Sequence, residues 1–401
     1  MNKARRGRTR RVPTALQFAF LAGGTLAAST ALLTPAGFDG AELSAQASPP
    51  SSSLPAPPPS GELGFVVSSF GGRVVPGADA CPDGTVPRLR DAYLLTLPQA
   101  ERERLKRPEN AKEWDEAWQA YATNGAGANI CTHPDMFERP PMPTVQSRYA
   151  WGMDLDGGDP GADGCAHENF ESPTGEPGID NQEYRVMGCT PEARGADGKG
   201  GEAGSGTGQF HRSGEWTQVI LLRGVDSLVR DDSVEVIYAN TPDRPVTNLA
   251  GEFLSGGSFA IDDKPPRNRN LLRGRIVDGV LTTEPTDIKL AQTWGQSRQR
   301  DLRGARSKFD YRRGRLRLTF QPDGSLTGML GGYRPVFDLI SAPAIGGIGS
   351  ATVAGIDCAQ QLATARKFAD GLRDPKTGKC TAVSSAAQIR AIPAFVSDVA
   401  R

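Results

Sequence analysis

The chain has 401 residues, with 46 basic and 46 acidic side chains, 48 Gly, 31 Pro, 6 Cys and 3 His. At roughly 150 residues per structural unit this length fits two or three units, and 38% hydrophobic residues are enough for a core and exclude wholesale disorder. A balanced charge argues against a dedicated nucleic-acid binder, and the lack of a collagen period, heptad run or internal repeat excludes fibrous and solenoid folds.

Six basic residues (Lys3, Arg5, Arg6, Arg8, Arg10 and Arg11) precede an apolar stretch, Ala15–Leu33, and Ala45-Gln46-Ala47 offers a small-x-small cleavage site before Ser48. The order positive, apolar, small predicts an export signal over 1–47. Thr9-Arg10-Arg11 resembles part of a twin-arginine signal, and an uncleaved anchor is the alternative. Cleavage would leave 40 basic and 44 acidic side chains. Residues 48–60, rich in Pro and Ser, read as an extended linker. No later segment is apolar enough to cross a membrane, so the expected location is periplasmic or extracellular.

Residues 61–150 read as a small, partly helical unit. Pro98–Lys106 and Pro108–Ala122 each begin with Pro at an early helical position, where its missing N–H costs little. Ala111, Trp114, Trp118 and Tyr121 fall three or four apart on one face. That stripe is read as a packing face, with a sugar platform as the alternative. Residues 151–210 form an Asp/Gly-rich loop region. Its Gly195–Gly208 tract lacks the Gly-Lys-Ser/Thr of a phosphate loop.

From 211 to 340 the pattern changes to strands: Trp216–Leu222, Ser233–Tyr238, Arg275–Thr283 and Arg315–Phe320. Pro322-Asp323-Gly324 predicts a hairpin into Ser325–Leu330. Few helical patterns intervene, which predicts an antiparallel sandwich or barrel. Residues 341–401 read as helical over Gln360–Leu372 and Ala386–Val399, with a break at Pro393. The expected fold class is therefore α+β: an antiparallel β-rich central domain with small helical N-terminal and C-terminal units, stapled by disulfides.

An even number of cysteines in an exported chain predicts three disulfides among Cys81, Cys131, Cys165, Cys189, Cys358 and Cys380. Fifteen pairings are open. Pairing sequence neighbours gives Cys81–Cys131, Cys165–Cys189 and Cys358–Cys380, the last being the preferred one. No C-x-x-C occurs, and no haem, nucleotide or flavin motif is present.

Charge is polarised along the chain. Asp154–Glu183 holds nine acidic residues and no Lys or Arg, whereas Lys264–Arg317 holds fifteen basic and five acidic ones. The basic run is read as a solvated strand face that partly pairs with the acidic segment. An anionic lipid or polysaccharide ligand is the alternative.

Within the acidic segment, Asp154, Asp156, Asp159 and Asp163 alternate with Gly, and Asp180-Asn181 follows. Calcium takes six to eight oxygens, and this pattern is a candidate calcium loop that a Cys165–Cys189 bridge would close. The spacing fails the full EF-hand pattern, because Pro160 follows Asp159 and Cys165 stands at the twelfth position. The competing reading is turn formation by Asp, Asn and Gly. His133, His167 and His211 match no local zinc motif. Glu168 and Glu171 are the carboxylates a glycosidase-like hydrolase could use. Trp216, Trp294 and Tyr333 are candidate glycan-binding aromatics, with core packing as their alternative.

The combination of Asp154-Leu155-Asp156-Gly157, Cys165, Gly178-Ile179-Asp180-Asn181-Gln182 and Gly188-Cys189 resembles uncharacterised secreted proteobacterial proteins. The resemblance extends through Leu330-Gly331-Gly332-Tyr333 and the C-terminal cysteines, and it implies no known reaction. The expected function is binding or structural, in the periplasm or at the cell surface, with a glycan or another envelope component as partner. A carboxylate-dependent hydrolase of envelope polymers and an accessory subunit of an envelope complex are the alternatives.

Overall fold

In the computed structural model the described residues are 54–398, apart from 73, 76–79, 124–127, 159–163, 195–210, 212–215, 263–267, 294–305 and 341–354. The expected export signal, the start of the linker, the Gly-rich tract, Asp159, Asp163 and Trp294 lie outside them. In chain order the strands are β1 (Leu63–Gly71), β2 (Gln218–Arg223), β3 (Arg230–Asn240), β4 (Ser258–Ala260), β5 (Arg269–Val277), β6 (Val280–Thr283), β7 (Thr286–Thr293), β8 (Arg306–Phe320), β9 (Leu326–Pro335), β10 (Gly371–Arg373) and β11 (Cys380–Ser397). The helices are α1 (Leu89–Leu95), α2 (Gln99–Leu105), α3 (Ala111–Tyr121), α4 (Gln182–Met187), α5 (Pro191–Arg194), α6 (Val336–Ile340) and α7 (Cys358–Lys367).

Eight strands pair antiparallel in the order β1-β2-β3-β5-β6-β8-β9-β11, and β11 pairs back onto β1. The ring of hydrogen bonds therefore closes, giving an eight-stranded antiparallel barrel. Closure satisfies the edge groups that an open sheet would expose. The period-two alternation of the strands sets the two faces. Phe65 and Val67 of β1, Ile220 and Leu222 of β2, Val236 and Tyr238 of β3, and Leu316, Leu318 and Phe320 of β8 share one buried cluster. Burying each of the aliphatic or Phe side chains contributes roughly 1.5–3 kcal/mol. Glu235, Arg273 and Arg275 are exposed on the other face.

Two hairpins follow from their turn residues. Pro322-Asp323-Gly324 joins β8 to β9 as expected, with Asp323 Oδ1 accepting from the Ser325 amide at 2.9 Å and Gly324 at φ 79°. Arg275–Thr283, expected as one strand, is a hairpin instead. Val277 pairs with Val280 across Asp278-Gly279, both at positive φ. This is the two-residue loop that an Asp-Gly pair favours.

The expected helix over Ala386–Val399 is corrected to a strand. It belongs to the 18-residue β11, which pairs with β1, β9, β10 and, through its last residues, with the short parallel β4. Its small residues Ala387 and Ala391 join the barrel core, where little room remains, and tertiary packing overrides their helical propensity. Segment 61–150 likewise supplies β1 to the barrel as well as helices α1–α3. Of the helix expected over Gln360–Leu372, the part to Lys367 is present in α7, with Asp357 Oδ1 accepting from the Ala359 and Gln360 amides at 3.0 and 3.1 Å; its end is corrected, because Gly371–Arg373 forms β10.

A second core lies outside the barrel, where Val86, Val145, Phe170, Ile179, Val186, Leu362 and Val383 pack together. All six cysteines are bridged, but none of the neighbour pairings forms. The bridges are Cys81–Cys189, Cys131–Cys358 and Cys165–Cys380, with Cα separations of 5.8, 5.0 and 6.1 Å. Segments around 81, 131 and 165 each fold against chain that comes much later, and proximity in the fold decides the partner. Among the described residues no helix is long and apolar enough to cross a membrane.

Candidate metal centre

The acidic segment lies along the outer face of β9 and β11. Met153 and Leu155 pack on Met329, Tyr333, Ala382 and Ala386. Gly331 makes this approach possible, because a Cβ there would lie 2.7 Å from Met153 Cγ. Arg315 donates to the Leu155 carbonyl at 2.8 Å, and Arg317 forms a two-pronged pair with Glu176 at 2.8 and 3.0 Å. Arg334 binds Glu183 at 2.6 Å. The acidic segment and the basic strands thus partly neutralise each other.

Over this face four side chains converge from distant stretches of chain. A bridge between Met153 and Asp180 brings Asp180 beside residues 153–156, and Asp180 Oδ2 accepts from the Leu155 amide at 2.7 Å. Its Oδ1 lies 2.8 Å from His167 Nε2. His167 Nδ1 lies 2.9 Å from the Cys165 carbonyl. A carbonyl oxygen only accepts, so Nδ1 carries a proton and Nε2 is the atom turned to the carboxylates. The Cys165 amide donates to the Asp370 carbonyl at 3.1 Å, next to the Cys165–Cys380 bridge. Asp370 Oδ1 accepts from the Ser384 amide at 2.6 Å. Its Oδ2 is buried with no hydrogen-bond partner, 3.7 Å from His167 Nε2. Asp156 Oδ1 accepts from the Gly158 amide at 2.8 Å.

Each of the four side chains therefore has one polar atom fixed by a backbone group. One ligand atom from each of Asp156, His167 and Asp180 fits within a 4.8 Å span, a group able to hold a metal ion. Asp180 and Asp370 are 0% and 1% exposed, whereas Asp156 is half-buried, so the cluster meets the surface at Asp156. Burial pulls the His167 imidazolium down, but the Asp180 hydrogen bond, the Cys165 carbonyl and the two carboxylate charges prevail and raise it to about 9. Burial raises Asp370 to about 6 against the Ser384 hydrogen bond and the His167 charge. Burial, reinforced by the Asp180 charge, also raises Asp156.

Of the residues expected to bind calcium, Asp156 and Asp180 are brought together. Asp154 is not part of the cluster: its Oδ1 accepts from the Gly157 and Gly158 amides at 2.5 and 3.2 Å, forming a turn. Asn181 caps α4, accepting from the Tyr184 amide at 3.1 Å and donating to the Trp151 carbonyl at 2.6 Å. His167 and Asp370 escape a reading of spacing alone, because Asp370 stands 203 residues beyond His167. The signal that joins them is the Cys165–Cys380 bridge.

The remaining candidates disperse. Trp216 is 4% exposed inside the barrel core, with ring centroids 5.1 Å from Phe70 and 4.7 Å from Phe309. Tyr333 is 7% exposed beneath Met153 and Leu155, so neither presents a face to a sugar. Trp114, Trp118 and Tyr121 are half-buried. Arg90 covers the Trp114 ring at 3.9 Å and Arg139 covers Tyr121 at 4.1 Å. Glu168 and Glu171 face Arg185 and Arg148, at 3.7 and 3.8 Å. His211 is buried beside Trp216 and His133 is exposed on a loop, so the three histidines do not converge. Comparison with protein-family models, with curated proteins and with solved structures finds no significant match, and the chemistry of the centre rests on its geometry.

Proposed function

We propose that this protein is exported to the periplasm or cell surface and works by binding, with a divalent-cation site at Asp156, His167 and Asp180. The observation that carries this reading is the convergence of two carboxylates and an imidazole within 4.8 Å, each already anchored by a backbone group. Such anchoring lowers the entropy lost when an ion is captured. The ion would cross-link Asp156, His167 and Asp180 and take over the charge balance that the His167 imidazolium now provides. Three disulfides support an oxidising compartment.

The test is thermal unfolding of chelator-treated protein with each of several divalent cations. At 100 times Kd, a bound ion adds about 2.7 kcal/mol to stability. The Asp156→Asn protein should lose that increment. Unchanged melting with every cation would refute the reading.

An anionic envelope glycan as partner is supported by a separate observation. Arg273 and Arg275 are exposed two residues apart on β5, and neither is ion-paired among the described residues. Replacing both with Gln should abolish retention on an anionic polysaccharide matrix. Equal retention of that variant and the original protein would remove this partner.

A further inference from the structure

Calcium is the ion that alternating Asp and Gly residues bring to mind, but the assembled side chains favour different chemistry. Calcium needs six to eight oxygens and seldom takes nitrogen. Here Asp154, one of its expected donors, lies outside the group formed by Asp156, His167 and Asp180, and Asn181, another, caps α4. The atom at the centre of the cluster is instead His167 Nε2, with Asp180 Oδ1 at 2.8 Å and Asp370 Oδ2 at 3.7 Å.

We infer that the centre is built for a d-block ion of the zinc class, held by Asp156, His167 and Asp180, with Asp370 Oδ2 as the fourth ligand. The inference rests on the reading of the cluster as a cation site and names its ion and its missing ligand. Four observations carry it. Imidazole nitrogen prefers zinc-class ions over calcium or magnesium. Zinc-ligating histidines commonly donate their other N–H to a carbonyl or carboxylate, which fixes the ring and the free nitrogen. His167 has this arrangement through the Cys165 carbonyl. Zinc bonds of about 2.0–2.2 Å put neighbouring tetrahedral ligands roughly 3.3–3.5 Å apart. The 2.8 and 3.7 Å separations around Nε2 bracket that edge, and Asp370, which lies outside the 4.8 Å group, must move inward to complete the set. Finally, Asp370 Oδ2 is a buried carboxylate oxygen without a hydrogen-bond partner. A metal would supply the direct partner that the imidazole, at 3.7 Å, does not.

The same arrangement gives the Cys165–Cys380 bridge a role in the site. It holds the carbonyl that orients His167 against the strand pair that carries Asp370, since Asp370 donates to Ala382 at 2.9 Å and β10 pairs with β11. The ligands from 165–167 and from 370 are thereby joined across 203 residues of sequence.

The experiment titrates the oxidised, chelator-treated protein with zinc, cobalt(II) and calcium, following bound metal by equilibrium dialysis and the cobalt centre by visible absorption. We expect one zinc per chain, an intense four-coordinate cobalt spectrum, and no displacement of zinc by millimolar calcium. His167→Gln and Asp370→Asn should each weaken zinc at least tenfold, while Asp154→Asn leaves affinity within twofold. Circular dichroism on each variant separates loss of ligand from loss of fold. Because Asp156 is half-buried, Asp156→Asn is the variant whose fold is least at risk, and it should also lose tenfold. If calcium binds as tightly as zinc, or His167→Gln keeps zinc affinity, the zinc-class assignment is overturned while a cation site stands. A six-coordinate cobalt spectrum, or unchanged affinity in Asp370→Asn, removes Asp370 from the shell. If no divalent cation binds, the cation-site reading falls as well.

Discussion

Replacing Cys165 and Cys380 together by Ser removes one bridge and leaves two. Taken alone, a loop of 215 residues would restrict the unfolded chain by about 5 kcal/mol in the chain-entropy account. The other bridges shorten it. From Cys165 the path runs 34 residues back to Cys131, crosses to Cys358 and continues 22 residues to Cys380, about 56 residues in all. A loop of that length corresponds to about 4 kcal/mol, which is the expected loss in urea denaturation of the double variant. The thiol assay on the same unfolded protein is more decisive. In this structure Cys81–Cys189 and Cys131–Cys358 survive, so no free thiol should be found. Pairing of sequence neighbours would instead leave Cys189 and Cys358 unpartnered. Two thiols per chain, or a stability loss below about 1 kcal/mol, would refute the bridge pattern and its coupling argument.

Other expectations follow from the core and the site. Trp216→Ala should cost about 3–5 kcal/mol, since the indole packs among Phe70, His211 and Phe309; a near-neutral thermal shift would contradict its burial. Gly328→Ala should be more damaging than Gly331→Ala. A Cβ at Gly328 would press on the Arg317 carbonyl, which is backbone, whereas at Gly331 it meets the flexible Met153 side chain. Equal midpoints in urea would contradict that contrast. In chelator, stability should fall as pH rises. Both Asp370 and His167 hold protons in the fold that the unfolded chain releases, Asp370 between the ordinary carboxylate range and about 6, His167 between about 6.5 and about 9. His167→Gln should flatten the upper part of that profile in a melting series; an unaltered slope above pH 6.5 would exclude the imidazolium as its source.

The strands with one clean apolar face were legible in the sequence. Arg315–Phe320 alternates, and its Leu316, Leu318 and Phe320 enter the barrel. β11 was not, because Ile389 is flanked at the neighbouring interior positions by Ala387 and Ala391, whose propensity is helical. The Asp278-Gly279 turn was legible in principle, but continuous β-branched residues on both sides made one long strand out of two short ones. In the site, Asp156 and Asp180 were visible as carboxylates in a Gly-rich setting. Their partners were not, since His167 and Asp370 stand 203 residues apart and meet beside a bridge between residues 215 apart. No local spacing encodes that contact.

The pairing of β1 with β11 also has a kinetic consequence. Gly64 and Ala394 are partners in the ladder though 330 residues apart, so the first barrel strand has no second neighbour until almost all the described chain exists. Ordering so large a loop is slow compared with forming a local hairpin. The β8–β9 hairpin and helix α7 can form early, whereas the ring closes last.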